Sequence, residues 1–170
     1  AFDGTHGYEL WKSDGTSAGT VLVSDINIGS ASSSPSFLTN ANGTLFFQAN
    51  DGTNGFELWK SNGTSSGTSM VRNINPSGSS IPSYLTNVNG TLYFVADDGS
   101  HGIELWKSDG TAAGTVLVKD IDPGPGQSLP TDLTDVNGTL FFAAGVDDAV
   151  RGIELWKSDG TESGTVLVKD

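Results

Sequence analysis

The tetrapeptide Glu-Leu-Trp-Lys occurs four times, at 9–12, 57–60, 104–107 and 154–157, and nothing else in the chain constrains its fold as tightly. The tryptophans Trp11, Trp59, Trp106 and Trp156 are spaced by 48, 47 and 50 residues. Segments 102–120 and 152–170 differ only at Ala112/Glu162 and Ala113/Ser163. A period of this size marks a solenoid, a propeller or an array, built from units that cannot bury their apolar faces alone.

Each period reads as four short strands, here called a, b, c and d. Tyr84–Val88 leads through Asn89-Gly90 into Thr91–Ala96, and Asn-Gly suits a two-residue type I′ hairpin because both central residues need φ > 0. The same dipeptide recurs at Asn42-Gly43 and Asn137-Gly138. After a loop (Asp97–Gly102) come Ile103–Ser108, the turn Asp109–Gly114, and Thr115–Ile121, which is rich in β-branched residues. No segment sustains a helical apolar period.

The expected fold is therefore all-β: strands c and d of a first unit followed by three complete units, 14 strands or about 3.5 blades. The boundaries fall at 1–28, 29–76, 77–122 and 123–170, all within one repeat domain. Strand b is apolar on both faces (Leu45-Phe46-Phe47, Leu92-Tyr93-Phe94, Leu140-Phe141-Phe142), as a strand packed on both sides must be. Arg72, Lys119 and Lys169 on strand d read as protection of an outer edge. Four-stranded antiparallel blades packed on copies of themselves describe a β-propeller-like array; the structural alternative is an open superhelical stack of the same sheets.

Glu-Leu-Trp-Lys-Ser-Asp-Gly-Thr at 104–111 and 154–161 resembles the ELWxxDGT repeat of long tandem arrays in bacterial surface or secreted proteins. The second unit departs from it, with Asn62 in place of the motif aspartate. The resemblance implies a β-propeller-like, extracellular or cell-surface repeat protein. It implies no catalytic residues.

Eight Lys and Arg against 20 Asp and Glu leave a net charge of -12, which argues against a nucleic-acid face or an anionic membrane surface. No apolar run approaches the ~20 residues of a membrane-spanning helix, so membrane insertion is not expected. Cysteine is absent, which removes disulfides, thiolate metal sites and cysteine nucleophiles. Starting inside a b–c loop, the chain is expected to belong to a longer polypeptide. Its expected partners are further repeats of the same chain or other copies.

Function is sought in what varies and what recurs. The Trp-to-Ile interval (Trp11–Ile26, Trp59–Ile74, Trp106–Ile121) is 15 residues, and the Leu-to-Leu hairpin interval (Leu38–Leu45, Leu85–Leu92, Leu133–Leu140) is 7. Length varies only in the d–a and b–c connections, which share one face of an up-and-down blade. That face is either a binding face or a tolerant solvent face. Fourteen of the 20 acidic residues occupy four recurring positions. These are Asp3, Asp51, Asp98 and Asp148; Glu9, Glu57, Glu104 and Glu154; Asp14, Asp109 and Asp159; and Asp25, Asp120 and Asp170.

Carboxylates beside glycine carbonyls are the hard oxygen ligands that calcium uses, and Asp51, Asp97, Asp98, Asp147 and Asp148 are the candidate metal ligands. The competing reading makes them turn formers, since Asp before Gly is an ordinary side-chain-to-backbone device. The four tryptophans read as structural core with a hydrogen-bonded N–H, or as platforms for sugars. His6 and His101 match Asn54 and Arg151 in the b–c loops, a polar position that varies between units.

Two functions follow. One is a non-catalytic extracellular structural or adhesion module, calcium-stabilised; the other is a multivalent carbohydrate-binding, lectin-like propeller with one weak site per blade. An enzyme is not expected, because near-identical units lack the asymmetry of a catalytic site.

Overall fold

The computed structural model describes residues 1–145 and 152–169. Among these the chain forms fourteen strands and no helix. β1 (Leu10–Lys12) and β2 (Val21–Ser24) make a two-stranded sheet. β3 (Ser36–Ala41), β4 (Thr44–Asn50), β5 (Phe56–Ser61) and β6 (Ser69–Arg72) make a sheet in chain order. The third unit repeats this with β7 (Ser83–Val88), β8 (Thr91–Asp97), β9 (Ile103–Ser108) and β10 (Val116–Lys119). The fourth uses β11 (Thr131–Val136), β12 (Thr139–Gly145), β13 (Ile153–Ser158) and β14 (Val166–Lys169). All pairings are antiparallel between sequence neighbours, so each four-stranded unit is an up-and-down sheet with strand a at one edge and strand d at the other.

The a–b hairpins turn as the Asn-Gly dipeptides require. Asn42 and Gly43 have φ of 51° and 78°, and Asn89 and Gly90 have 49° and 87°. Strand d is shorter than Thr115–Ile121. It stops at Lys119 because the Ile121 N–H leaves the ladder and donates to the Glu104 carboxylate at 3.1 Å.

Strand a carries a bulge that the sequence does not announce. Phe37, Tyr84 and Asp132 sit at equivalent positions with φ of 55°, 52° and 55°, where the a–b register shifts. Bulky residues rarely adopt this conformation. It turns Phe37 and Tyr84 outward, leaving them about half exposed.

The core lies between units rather than within them. Leu10, Val23 and Ile26 of the first unit pack with Phe47, Ala49, Leu45 and Trp59 of the second. Ala41, Phe46, Leu58, Val71 and Ile74 pack with Leu92, Phe94, Ala96 and Trp106 of the third. Val88, Tyr93, Leu105, Val118 and Ile121 pack with Leu140, Phe142, Ala144 and Trp156 of the fourth. Each buried Leu or Phe contributes about 1.5–3 kcal/mol relative to exposure.

The tryptophans occupy equivalent cross-strand positions, Trp59 opposite Phe47, Trp106 opposite Phe94 and Trp156 opposite Phe142. Each of these three packs onto the unit before it, which makes them inter-unit core. Two features depart from expectation. Trp11 belongs to none of the three clusters, since no sheet among the described residues packs against its face. The indole nitrogens of Trp11, Trp59 and Trp106 are buried with no acceptor among the described residues, where a hydrogen-bonded N–H was expected. No helix among the described residues is long and apolar enough to cross a membrane.

Candidate functional site at the unit junctions

The strand-c glutamates are the centre of each junction. Glu9, Glu57 and Glu104 are 1%, 0% and 0% exposed, buried as deeply as the core leucines. Glu104 accepts hydrogen bonds from the N–H groups of Ile121 (3.1 Å), Asp122 (3.4 Å) and Ser128 (2.9 Å), and from the Ser128 hydroxyl (2.5 Å). Glu57 accepts from Ile74, Asn75 and Ser80 in the same way, and Glu9 from Ile26 and Ser33. The serine then hands the connection on. The carbonyls of Ser33, Ser80 and Ser128 accept from the N–H of Asn50, Asp97 and Gly145 in strand b of the next unit. One carboxylate thus satisfies the end of strand d and ties the d–a connector to the following sheet.

Burial pushes the Glu57 and Glu104 carboxyls above the ordinary glutamate range, against the pull of their serine and backbone donors. Every partner is a donor, which is the environment an acceptor-only carboxylate requires. The period signalled that these glutamates matter, but grouped them with the loop acids. What could have separated them is their place inside a strand beside Leu and Trp.

The motif lysine supplies a second tie. Lys12, Lys60 and Lys107 donate to the carbonyls of Gly63, Gly110 and Gly160 in the next unit, at 2.8, 2.8 and 2.7 Å. Gly160 has φ of +87° and lies against the Tyr93 hydroxyl, so a side chain there would be strained and would collide. On strand d, Arg72 and Lys119 donate to the carbonyls of Thr115 and Thr165, at 2.6 and 2.9 Å. Lys119 also lies 5.9 Å from the Trp156 ring centroid. The edge charges therefore serve the neighbouring unit.

The c–d turns are closed from within. Asp109 Oδ1 accepts from the N–H and hydroxyl of Thr111 at 2.8 and 2.7 Å, and the Thr111 hydroxyl accepts from the Gly114 N–H. Asn62 makes the same two bonds to Thr64, so the departure from the motif aspartate costs the turn nothing visible.

The b–c loops hold the predicted metal ligands. Asp51 Oδ1 accepts from the N–H groups of Thr53 and Asn54, and its Oδ2 from the Asn54 amide at 2.7 Å. Asp98 does the same with Ser100 and His101, its Oδ2 lying 2.8 Å from the His101 ring nitrogen. Asp97 Oδ1 accepts from Gly99 at 2.6 Å. Asp147 and Asp148 lie outside the described residues. No group of three or more His, Cys, Asp or Glu able to hold a metal ion occurs among the described residues.

The recurring Asp-x-x-His/Asn contact was not read from the sequence, although Asp3–His6, Asp51–Asn54 and Asp98–His101 share the i,i+3 spacing. Hydrogen bonding to His6 holds Asp3 at about 2, and the same bond raises His6. His101 is raised by its bond to Asp98, with the charges of Asp98, Asp120 and Glu104 adding to it. Asp98 is lowered in net: partial burial alone would raise it, and the bonds from His101 and Ser100 outweigh that.

A histidine raised in the folded state contributes stability that is complete below its unfolded value and lost as pH rises through the folded one. The lowered aspartate contributes stability present above the ordinary carboxylate range and lost as pH falls. The His101 ring is therefore expected to titrate above the ordinary 6.5 in an NMR titration, and Asp98→Asn to lower it toward that value.

Comparison with protein-family models, with curated proteins and with solved structures finds no match to this chain.

Proposed function

We propose that the chain is a non-catalytic structural and adhesion module of an extracellular or cell-surface protein, with its units arranged as in a β-propeller. One observation carries this reading: the recurring Glu, Ser and Lys make the same inter-unit bonds at each junction where a following unit is present. Polar groups spent in this way are not free for chemistry. The propeller-like arrangement is supported by strand a, since β3 packs beside β7 and β7 beside β11 while the outer d strands make no comparable approach. Mechanical unfolding tests the array reading. Pulling the chain end to end is expected to give successive length increments of roughly 160–180 Å, one unit each. A single event spanning the whole chain would count against it.

Calcium stabilisation belongs to the same proposal. It is supported by the repeated loop carboxylates, and Asp97 Oδ2 makes no hydrogen bond among the described residues. Melting curves with calcium and with chelator, at fixed ionic strength, are expected to show the higher midpoint with calcium. Coincident midpoints would leave Asp51, Asp97 and Asp98 as turn formers.

The lectin-like reading draws support from a different place than the tryptophans. Phe37 and Tyr84 are 49% and 46% exposed and recur on strand a, which suits stacking on sugar rings. A glycan array distinguishes the two readings, with binding abolished by Tyr84→Ala favouring the second.

A further inference from the structure

The second unit departs from its copies around its c–d turn. Where the other units carry Asp14, Asp109 and Asp159 it has Asn62, and where they carry Val21, Val116 and Val166 it has Ser69. The fold asks for neither change. Asn62 makes the bonds to Thr64 that aspartate makes elsewhere, and valine is the better strand former at the first position of β6.

Both residues line one cavity, of about 400 Å³, at the end of the sheet where the c–d turn meets the start of β4. Thr44, Lys60, Ser61, Ser66 and Gly67 complete the lining. Ser69 lies directly across from Lys60 in the β5–β6 pair, so the two side chains project from one face. The hydroxyls of Thr44 and Ser69 and the Asn62 amide nitrogen make no hydrogen bond among the described residues, and the Ser66 hydroxyl reaches only Thr64, at 3.4 Å. Lys60 donates to the Gly110 carbonyl and, as an ammonium, keeps donors for a further partner.

The chemistry of the lining selects the ligand. Asparagine in place of aspartate removes a carboxylate and supplies an N–H donor instead, which disfavours a cation. An anion is opposed by Asp109 of the third unit, whose carboxyl is lowered chiefly by its bonds to Thr111 and also lies in the field of Lys60. The net charge of -12 opposes an anion further. A neutral molecule rich in hydroxyls remains, since each lining hydroxyl both donates and accepts, as a sugar hydroxyl does. The volume is that of a small-ligand pocket.

We propose that this cavity is a saccharide site peculiar to the second unit, holding a neutral sugar by hydrogen bonds from Thr44, Lys60, Asn62 and Ser69. It stands apart from the lectin-like reading, which repeats a site in every unit and stacks the sugar on the aromatics of strand a.

Two-dimensional NMR of the whole chain, titrated with glucose, galactose, mannose, N-acetylglucosamine and their disaccharides, tests the proposal. At least one sugar is expected to give saturable shifts at the amides of Thr44 and of residues 60–69, and none at the corresponding 157–166 of the fourth unit. Asn62→Asp and Ser69→Val install the residues that the other units carry, so both variants are expected to fold. Each is expected to weaken binding about two- to tenfold, as the loss of one hydrogen bond does. Tyr84→Ala is expected to leave binding unchanged; a loss there would move the sugar to strand a and overturn the proposal. It is overturned equally if no sugar gives saturable shifts, if residues 157–166 shift alike, or if folded Asn62→Asp and Ser69→Val bind as the natural chain does. Inorganic phosphate or calcium binding at these amides more tightly than any sugar would also overturn it.

Discussion

Replacing Glu104 by alanine is expected to lower the free energy of unfolding by about 3–5 kcal/mol, measured by urea denaturation. The substitution strips the acceptor from the N–H groups of Ile121, Asp122 and Ser128 and from the Ser128 hydroxyl. Each buried donor left unsatisfied costs about 1–3 kcal/mol, and relaxation recovers part of the sum.

Glu104→Gln separates charge from shape. Burial raises the Glu104 carboxyl in the folded state. Its contribution is therefore complete below the ordinary glutamate value and falls as pH rises through the raised one. The stability advantage of the natural chain over Glu104→Gln is accordingly expected to narrow from acid to neutral pH. A difference that widens across that range would show that the donors, rather than burial, set the protonation of this group.

Phe94→Ala is expected to cost about 3–5 kcal/mol, the range for truncating a buried aromatic. Phe94 is 0% exposed and belongs to the cluster that joins the second and third units. The loss combines the transfer term with a cavity that two separate sheets would both have to move to fill. Phe37→Ala, on the exposed bulge of strand a, is expected to stay within about 0.5 kcal/mol. Comparable losses at the two positions would mean that the core does not lie between the sheets. The contrast also bears on sugar binding, because Phe37 would then matter to a glycan array while remaining silent in a melt.

The junction chemistry explains how the units tolerate variation. Asn62 replaces aspartate in a turn that uses only its Oδ1, and Asn54 replaces histidine in a loop that needs only a donor to Asp51. The glutamate is different, since two acceptor oxygens share three or four donors and an amide would present one donor to another.

What the sequence determined by itself is local and periodic. The Asn-Gly pairs required φ > 0 at two successive residues, which placed the hairpins, and the tetrapeptide period placed equivalent strands in every unit. Strand b, apolar on both faces, already implied sheets packed on both sides. These properties depend on neighbours a few residues apart, or on counting.

Tertiary structure decided the rest, because the deciding partners lie 17 to 53 residues away. Glu104 and Asp109 are both carboxylates at recurring positions, yet one is a buried anchor and the other a surface turn, according to which backbone donors the fold brings to them. The bulge at Phe37 and Tyr84 carries no glycine to announce it, since a non-glycine residue adopts that backbone only when the surrounding sheet compensates. Trp11 and Trp106 share an identical tetrapeptide, and only the presence of a unit against one face makes Trp106 core and leaves Trp11 half-buried.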